Sequence, residues 1–589
     1  MLKNLLIKCG YAVVLSSLLF SSCRSDLLDT VPTGGVGSAN MWTTDNLTDL
    51  GVSGVYSALR LGITTGSASG RELYHFDRLV TSQSKGADAL MRGTATSGES
   101  LFSNVWQEMY EGIHRSNDAL MNIPVKSPSA PEKKARLMAE VRFLRAYYYF
   151  RLNQVFKGVP IYLEPVSIEE TTKARASEAE VWKLIIDELT LCIDEEQLPT
   201  RYATGDPNYG RITKSAAYAL RGKAYMYTQE WELAIADFEK VEEAGHKLFP
   251  DYQKLFLEEN EQSDEMIFAI QNIPVQGFGS TTQFITGTRS SFGSCWNTYI
   301  IHPDLVDAYD NKDGKPFNWD DIIPGYKEMA PQKREVFFLR NNLTAAEYAT
   351  MQDKGLDMSL YLPNGNEQRI RKAYSNRDPR LEANVITPYA SYLGREIEGA
   401  DRVFTSRWPH RDENPPTLDL TTDSRALFYY LHRKFVYQGS HQLPDRVSGG
   451  IDFPIIRYAD VLLMRAEALN ELGRTEDAIT LVNLVRQRAG VGLLNSSAET
   501  IVQGQNDLRL RIRKERRLEF PNEGISYFDE LRWKSWKETS FYAGNGSKQI
   551  WGQVVTPYIW QGDNLYSWAI PKTERERNTN LTQNTGWVD

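Results

Sequence analysis

The sequence predicts a mainly α-helical protein in which paired helices are interrupted by a long, irregular insertion. The first observation is a helix pair in residues 451–490, where apolar and small residues recur at helical spacing on both sides of Gly473. Relative to Ala466, Ala478 lies twelve residues on and Val482 sixteen residues on, which is the tetratricopeptide spacing of small and bulky positions. Such a pair cannot bury both of its faces alone, so we expect other helices to stack on it.

The second observation is a similar helix pair in residues 213–244. Gly222 takes the small position, Ala234 follows at twelve residues and Phe238 at sixteen. Gly222 lies 244 residues before Ala466, so the two pairs do not belong to a tandem array. A helical scaffold interrupted by an insertion explains this separation better than a continuous solenoid.

Further helices are predicted from apolar stripes and capping residues. Residues 135–156 carry the strongest stripe, with apolar positions recurring at steps of three or four. Ser177 is expected to cap a helix that includes Val181–Leu191, and Asp45 is expected to cap a helix that reaches Leu59. These helices extend the scaffold on the N-terminal side of the insertion.

The predicted insertion comprises residues 249–452 and differs in composition from the scaffold. It is rich in Gly, Pro, Asn, Asp and aromatic residues, and alternation in residues 265–270 predicts a short strand. Trp319 and Trp408 lie in its aromatic and polar loops, where neighbouring prolines suit packing as well as ligand contact. Loops of this length in a compact protein are usually functional.

The N-terminus has the pattern of an export signal. In residues 1–22, two lysines precede a short apolar run that is too short to span a bilayer. The small residues before Cys23 favour a bacterial lipoprotein cleavage site, with Cys23 as the lipidated first residue; ordinary signal cleavage beside an incidental cysteine is the alternative. Residues 23–40 suit a flexible tether, and we expect one domain in residues 41–589.

Charge and cysteine content exclude some classes of protein. The formal net charge of −9 argues against nucleic acid as a partner. Beyond Cys23, only Cys192 and Cys295 remain in the mature chain, which is too few for a disulfide framework. Whether these two cysteines pair is left open by the sequence.

Three charged stretches are interpreted as structural. The basic stretch in residues 508–536 contains Glu515 and Glu519 at helical spacing, which favours an ion-paired helix over a polyanion site. In residues 376–381, an aspartate can cap the turn that a proline begins, while the arginines hold neighbouring loops. The acidic residues between positions 304 and 321 lack the order of an EF-hand loop, so we expect a solvated loop without calcium.

Several separated stretches together resemble the SusD/RagB family of surface lipoproteins. The likeness is carried, in the family's order, by Ala139–Pro165, Asn376–Leu381, Pro454–Leu469, Glu515–Trp533 and Trp568–Trp587. The resemblance implies a SusD-like right-handed superhelix of four tetratricopeptide-like helix pairs. Residues 41–248 and 453–589 would form this scaffold, and the insertion would carry much of the ligand surface.

The resemblance also implies a function and a location. It implies a non-catalytic protein that captures oligosaccharides and passes them to a SusC-like TonB-dependent β-barrel transporter. The protein would be anchored in the outer membrane through its N-terminal lipid and would face the cell exterior. The sequence does not identify the glycan.

Candidate ligand-binding residues are loop aromatics and polar groups near them. Sugars need flat apolar faces for their C–H groups and polar groups for their hydroxyls. Trp296 is the best candidate because glycine, serine and asparagine flank it, and Tyr299 is close enough to extend the same platform. Phe278 is a further aromatic candidate. In the family, the loop before the long helix pairs contributes polar contacts, which points to Asp88 and Arg92.

The sequence contains no nucleophile-elbow, zinc-protease or nucleotide-binding motif, and its histidines lack metal-ligand spacing. We therefore predict no catalytic residue, metal or cofactor. Two hypotheses remain as alternatives. One is an α-helical glycoside hydrolase, which needs only two carboxylates at a fixed separation. The other is a tetratricopeptide-type scaffold that binds a peptide or protein.

Overall fold

The structure is a computed structural model, and its described part is mainly α-helical, as predicted. The described residues are 40–60, 75–395, 400–412, 418–439 and 443–588. The predicted signal peptide, the lipidation residue Cys23 and all but the last residue of the tether lie outside them. Among the described residues, no helix is long and apolar enough to cross a membrane.

Long helices lie on both sides of a middle region with short helices. The N-terminal helices are α1 (Asp45–Ser57), α2 (Ala89–Arg92), α3 (Ser100–Lys126), α4 (Pro131–Phe156), α5 (Glu178–Asp194), α6 (Lys214–Thr228) and α7 (Trp231–Glu243). The middle helices are α8 (Thr282–Thr286), α9 (Pro303–Ala308), α10 (Ala345–Asp353), α11 (Asn366–Lys372) and α12 (Pro379–Asn384). The C-terminal helices are α13 (Tyr458–Glu471), α14 (Thr475–Ala489), α15 (Gln505–Glu519), α16 (Ser526–Trp533), α17 (Trp536–Ser540) and α18 (Lys572–Arg577).

The helix ends follow local capping chemistry. Ser177 caps α5 as predicted, because its hydroxyl accepts a hydrogen bond from the Glu180 amide at 3.2 Å and Glu180 bonds back to the Ser177 amide. The predicted cap at Asp45 is wrong by one residue. Thr44 has the extended backbone of a cap and accepts from the Leu47 amide at 3.1 Å, while Asp45 lies in the first turn.

Both predicted helix pairs are confirmed. In the pair α6–α7, a Cβ added to Gly222 would lie 2.5 Å from the ring of Phe238, so glycine lets the helices cross without displacing that ring. In the pair α13–α14, Ala466 and Ala478 are fully buried. Consecutive helices from α3 to α7 pack on one another, and α13 then packs on α7. The stack therefore continues across the middle region.

The strands are short. They are β1 (Ser82–Ser84), β2 (Met266–Ile270), β3 (Tyr299–Ile301), β4 (Val385–Ile386), β5 (Ser391–Arg395), β6 (Asp401–Thr405), β7 (Leu418–Asp419), β8 (Leu431–His432), β9 (Phe453–Arg457), β10 (Gly546–Lys548) and β11 (Val554–Pro557). The antiparallel pairs are β1–β3, β2–β9, β4–β8 and β10–β11, while β5, β6 and β7 form a three-stranded sheet. Strand β2 confirms the predicted strand and ties the start of the middle region to its end.

The hydrophobic cores follow the same division. The main core is built from residues 42–270 and 453–587, whereas a second core draws mostly on residues 301–430. Trp319 and Trp408 are both buried in this second core, and their rings stack on Tyr326 and Phe428. Of the two roles that the sequence left open for these tryptophans, the structure supports packing.

A buried set of ion pairs joins the middle region to the helices, and we name it the junction network. Its members are Arg380, Arg457, Arg488, Glu265, Glu519 and Glu523. Arg457 contacts both Glu265 and Glu519 at 2.7 Å. Arg380 reaches Glu519 at 2.8 Å, and Arg488 reaches Glu265 at 2.9 Å. Removing one partner from such a network leaves an uncompensated buried charge.

The structural interpretation of residues 376–381 is confirmed. Asp378 caps α12 by accepting from the Arg380 amide at 2.9 Å. Arg377 donates to the carbonyl groups of Val306 and Tyr309 at 2.8 and 2.6 Å, so it fixes a neighbouring segment.

The ion-paired character predicted for residues 508–536 is also confirmed, but most partners lie elsewhere than expected. Arg511 pairs with Asp507 within α15. Glu515 and Glu519 are buried instead, and their cationic partners come from other elements. The helical spacing that suggested pairs along one helix therefore marks an inward-facing side.

The acidic stretch after position 304 is only in part the predicted solvated loop, because Asp313 and Asp321 are exposed but other members are not. Asp310 is buried and pairs with Lys514 at 2.6 Å, and Asp304 contacts Lys548 at 3.2 Å. These carboxylates balance cations of the C-terminal elements, which explains their position. Within the described residues, no group of three potential ligands is arranged to hold a metal ion.

The question of a disulfide is settled by the fold. Cys192 and Cys295 are separate, buried thiols. Cys192 donates to the Ala139 carbonyl and Cys295 to the Phe292 carbonyl. Burial raises the pKa of Cys295 to about 12, so its thiol stays protonated.

Candidate functional site

A tightly bonded loop presents Trp296 to solvent, and we name residues 287–297 the Trp296 loop. The Trp296 amide donates to the Phe284 carbonyl at 2.8 Å, and the Asn297 amide donates to the Gly287 carbonyl at 2.7 Å. The two residues that flank Trp296 are completely buried, whereas Trp296 itself is 41% exposed. The loop is therefore anchored through the neighbours of the residue that it displays.

The turn of this loop depends on Gly293. Its φ of +73° lies in the left-handed region, and an added Cβ would lie 2.6 Å from the Cβ of Arg446. Ser294 follows with a φ of +57°. The sequence Gly-Ser before the tryptophan thus allows a sharp turn against a neighbouring segment.

The indole of Trp296 is supported from one side. Its ring centroid lies 4.6 Å from that of Phe284, with the planes tilted by 50°. The Arg446 guanidinium lies 4.5 Å from the Phe284 ring and 5.6 Å from the indole. A supported, partly exposed aromatic ring is a surface on which a sugar can stack.

Three cations hold the carbonyl groups of the loop. Lys85 donates to the Trp296 carbonyl at 3.3 Å, and Arg289 to the Ser294 carbonyl at 3.3 Å. Arg446 donates to the carbonyl groups of Gly293 and Ser294 at 3.1 and 3.0 Å. Asp423 pairs with both Lys85 and Arg289.

The structure brings some of the predicted site residues together. Tyr299 pairs with Ser84 in the β1–β3 ladder, and the Arg78 guanidinium lies 5.4 Å from its ring. Arg78 also contacts Asp88 at 3.3 Å. Asp88, Tyr299 and the Trp296 loop therefore lie along the same pair of strands, although the rings of Tyr299 and Trp296 pack on different neighbours.

Arg92 and Phe278 lie apart from this group. Arg92 is exposed at the end of α2, next to the segment that contacts Ile559. Phe278 is 59% exposed on a separate turn, where it exchanges backbone hydrogen bonds with Ile273 and Val275. These positions do not test whether Arg92 and Phe278 contact a ligand, so that contact stays a prediction.

An open cleft of about 830 Å³ adjoins the Trp296 loop. It shares Arg289, Ser294 and Asp423 with the surroundings of that loop, and β6 and β7 contribute to its walls. Pockets of about 300–1,000 Å³ are typical of small-molecule sites. Its polar lining offers donors and acceptors for sugar hydroxyls.

Sequence reasoning missed the groups that surround Trp296. Phe284 and Arg289 precede Trp296 by twelve and seven residues, whereas Lys85, Asp423 and Arg446 come from distant segments and reach it only through the fold. No local pattern distinguishes these residues from other surface charges. The tryptophan could be found because Gly293, Ser294 and Asn297 lie within three residues of it.

The paired helices, stacked around a loop-rich middle region, define a helical-repeat fold with a large insertion. Comparison with known proteins makes the assignment specific. A model of the SusD family matches residues 264–587, and a model described as starch-binding, associating with outer membrane, matches residues 72–226. Because the first match covers more than half of the chain, the chain belongs to the SusD family.

Individual relatives agree with this assignment. A SusD-like protein of Formosa agariphila is 24% identical over 543 residues, which cover 89% of this chain and 90% of the relative. The starch-binding protein SusD of Bacteroides thetaiotaomicron is 28% identical over 475 residues, covering 77% of this chain and 73% of that protein. A SusD-like carbohydrate-binding protein from Bacteroides fragilis has a solved structure with a TM-score of 0.71 at 24% identity, covering 92% of this chain and 100% of that chain. The fold is shared along nearly the whole chain.

Proposed function

We propose that this protein is a non-catalytic glycan-binding lipoprotein of the outer cell surface. It captures oligosaccharides at the Trp296 loop and delivers them to a SusC-like TonB-dependent β-barrel. The observation that carries the proposal is a rigid loop that holds a tryptophan 41% exposed beside an open polar cleft. Relatives described as starch-binding and carbohydrate-binding support an oligosaccharide as the ligand.

The carboxylates near the loop favour binding over hydrolysis. Asp88 pairs with Arg78, while Asp423 pairs with Lys85 and Arg289. A glycosidase needs one carboxyl group that stays protonated, beside a second that attacks or activates water. Both carboxylates near the loop are already engaged in ion pairs, so we propose that the site binds without cleaving.

The lipid anchor and the transporter are parts of the same proposal. Lipidation at Cys23 would place residues 24–40 between the outer membrane and the folded body, which begins near α1. That arrangement keeps the binding loop tethered close to a membrane-embedded β-barrel. The family description of association with the outer membrane supports this location.

The test is a glycan panel titrated against the mature protein and its Trp296→Ala variant. Loss of stacking should weaken binding by about 1–3 kcal/mol, by analogy with bases stacked on aromatic side chains. Trp231→Ala, at a half-buried tryptophan that starts α7 on the scaffold, is the matched control and should leave affinity unchanged.

Three results would contradict the proposal. Unchanged glycan affinity of the Trp296→Ala variant would remove this loop from the site. New reducing ends after long incubation would favour the hydrolase alternative. Co-purification of a β-barrel by a protein without any glycan affinity would instead favour the protein-interaction scaffold.

A further inference from the structure

We propose that the glycan bound at the Trp296 loop is anionic and carries a uronic acid carboxylate or a sulfate ester. This inference rests on the proposed glycan-binding function and adds the charge of the substrate. It starts from an imbalance of charge around the exposed indole. Lys85, Arg289 and Arg446 contact the loop, whereas Asp423 is the one carboxylate paired with any of them among the described residues.

Arg446 is the central cation of this site. Its hydrogen bonds to described residues use Nη1, toward the carbonyl groups of Gly293 and Ser294. A guanidinium has five N–H donors in a planar fork, so donors remain for a carboxylate or sulfate. The side chain is partly exposed, and its guanidinium lies 5.6 Å from the indole of Trp296. A sugar stacked on the indole would bring an exocyclic anionic group close to it.

Loop anchoring alone does not account for the charge. Carbonyl groups accept hydrogen bonds but carry no net charge, so the contacts to the loop leave two cations in excess over Asp423. Of the other nearby carboxylates among the described residues, Asp88 pairs with Arg78, and Asp445 accepts from the Val447 amide at 2.9 Å rather than from any of the three cations.

The pKa of Lys85 reflects the charges around it. Burial lowers the pKa of Lys85, Asp423 raises it, and the nearby Arg289 lowers it again. Lys85, Arg289 and Asp423 are each partly exposed, with 21%, 33% and 24% of their side chains accessible. A ligand anion can therefore reach these side chains and offset the repulsion between Lys85 and Arg289.

The experiment compares ligands that differ only in charge, using calorimetric titration of the full mature chain. One pair is tetragalacturonate and its methyl ester, and the other is a sulfated carrageenan tetrasaccharide and its desulfated form. The inference predicts that at least one anionic member binds about tenfold more tightly than its neutral counterpart. This preference should shrink as salt is raised toward about 0.15 M and above. The two pairs distinguish a carboxylate from a sulfate.

Variants locate the preference. Arg446→Met should remove most of the preference for the anionic ligand, while Arg446→Lys should keep part of it. Asp423→Asn should strengthen binding of the anionic ligand several-fold, and a gain of affinity cannot come from misfolding. Arg577→Gln, on an exposed arginine of α18 that pairs with Glu574, is the charge-matched control and should change nothing.

The outcomes separate this inference from the proposed function. Equal affinity for charged and neutral members, with both weakened by Trp296→Ala, would overturn the anionic ligand and leave glycan binding in place. A charge preference that survives Arg446→Met and does not respond to Asp423→Asn would also overturn it. Absence of any Trp296-dependent glycan binding would overturn the proposed function itself.

Discussion

The junction network and the surroundings of the Trp296 loop use the same kinds of side chain to different ends. In the junction network, Arg457 and Glu519 are fully buried and every guanidinium meets a carboxylate. Around the loop, the cations are partly exposed and outnumber the carboxylates that pair with them in the part of the chain that the structure describes. Because an unbalanced charge is costly only where water is excluded, buried balance indicates a structural role, whereas exposed imbalance is tolerated and leaves room for the charged ligand that we propose.

The largest expected effect comes from breaking the junction network. Arg457→Met should lower the free energy of unfolding by about 3–5 kcal/mol, because it leaves Glu265 and Glu519 without a major partner in a dry interior. Urea denaturation followed by circular dichroism measures this loss.

An arginine with exposed partners provides the control for this change. Arg465 pairs with Glu239 and Glu242, whose side chains are 43% and 51% exposed. Arg465→Met should cost no more than about 1 kcal/mol. Equal losses for the two variants would show that burial does not distinguish the network from surface pairs.

A smaller effect is expected from acid. Burial raises the pKa of Glu519, but Arg488, Arg457 and Arg380 outweigh it and hold the pKa at about 2. The folded pKa is below the unfolded value, so the stabilisation is present above about pH 4.5 and is lost as pH falls toward 2, amounting to about 3 kcal/mol. The difference in unfolding free energy between the wild type and Glu519→Gln should therefore narrow across this range. A difference in unfolding free energy that stays constant with pH would contradict the lowered pKa of Glu519.

A substitution in the helix pair α6–α7 should have the next smaller effect on stability, and it should affect the scaffold without affecting the site. Gly222→Ala places a Cβ against the Phe238 ring and should cost about 1–3 kcal/mol of stability without changing glycan affinity. Gly54, inside α1, has open space around its missing Cβ, so Gly54→Ala should stabilise by up to about 1 kcal/mol. Thermal melting compares the two variants, and a loss for both would mean that the crossing at Gly222 is not the cause.

The sequence predicted the fold better than the site because the two kinds of information differ in range. The spacing around Gly222 and the cap at Ser177 are local, and the structure follows them closely. The display of Trp296 was also visible in its immediate neighbours. The cations around it were not, since Lys85 and Arg446 meet only when separate segments fold together.

The acidic stretch after position 304 also shows that local sequence does not reveal distant partners. Asp310 looked like part of a solvated loop because its neighbours in sequence are polar, yet it is buried against Lys514 of α15. Within a polar segment, the neighbouring residues do not show whether a charged side chain is solvated or ion-paired. Pairing partners more than 200 residues away decide the matter.

The measurement that tests the central claim most directly is oxidative footprinting of tryptophan with and without a bound glycan. Mass spectrometry would follow oxidation of Trp296 and of half-buried reference residues on the scaffold, Trp231 and Trp533. If the exposed, cation-rich loop is the binding site, the glycan should protect Trp296 and leave the references unchanged. Protection of the scaffold tryptophans with Trp296 still fully reactive would contradict the account.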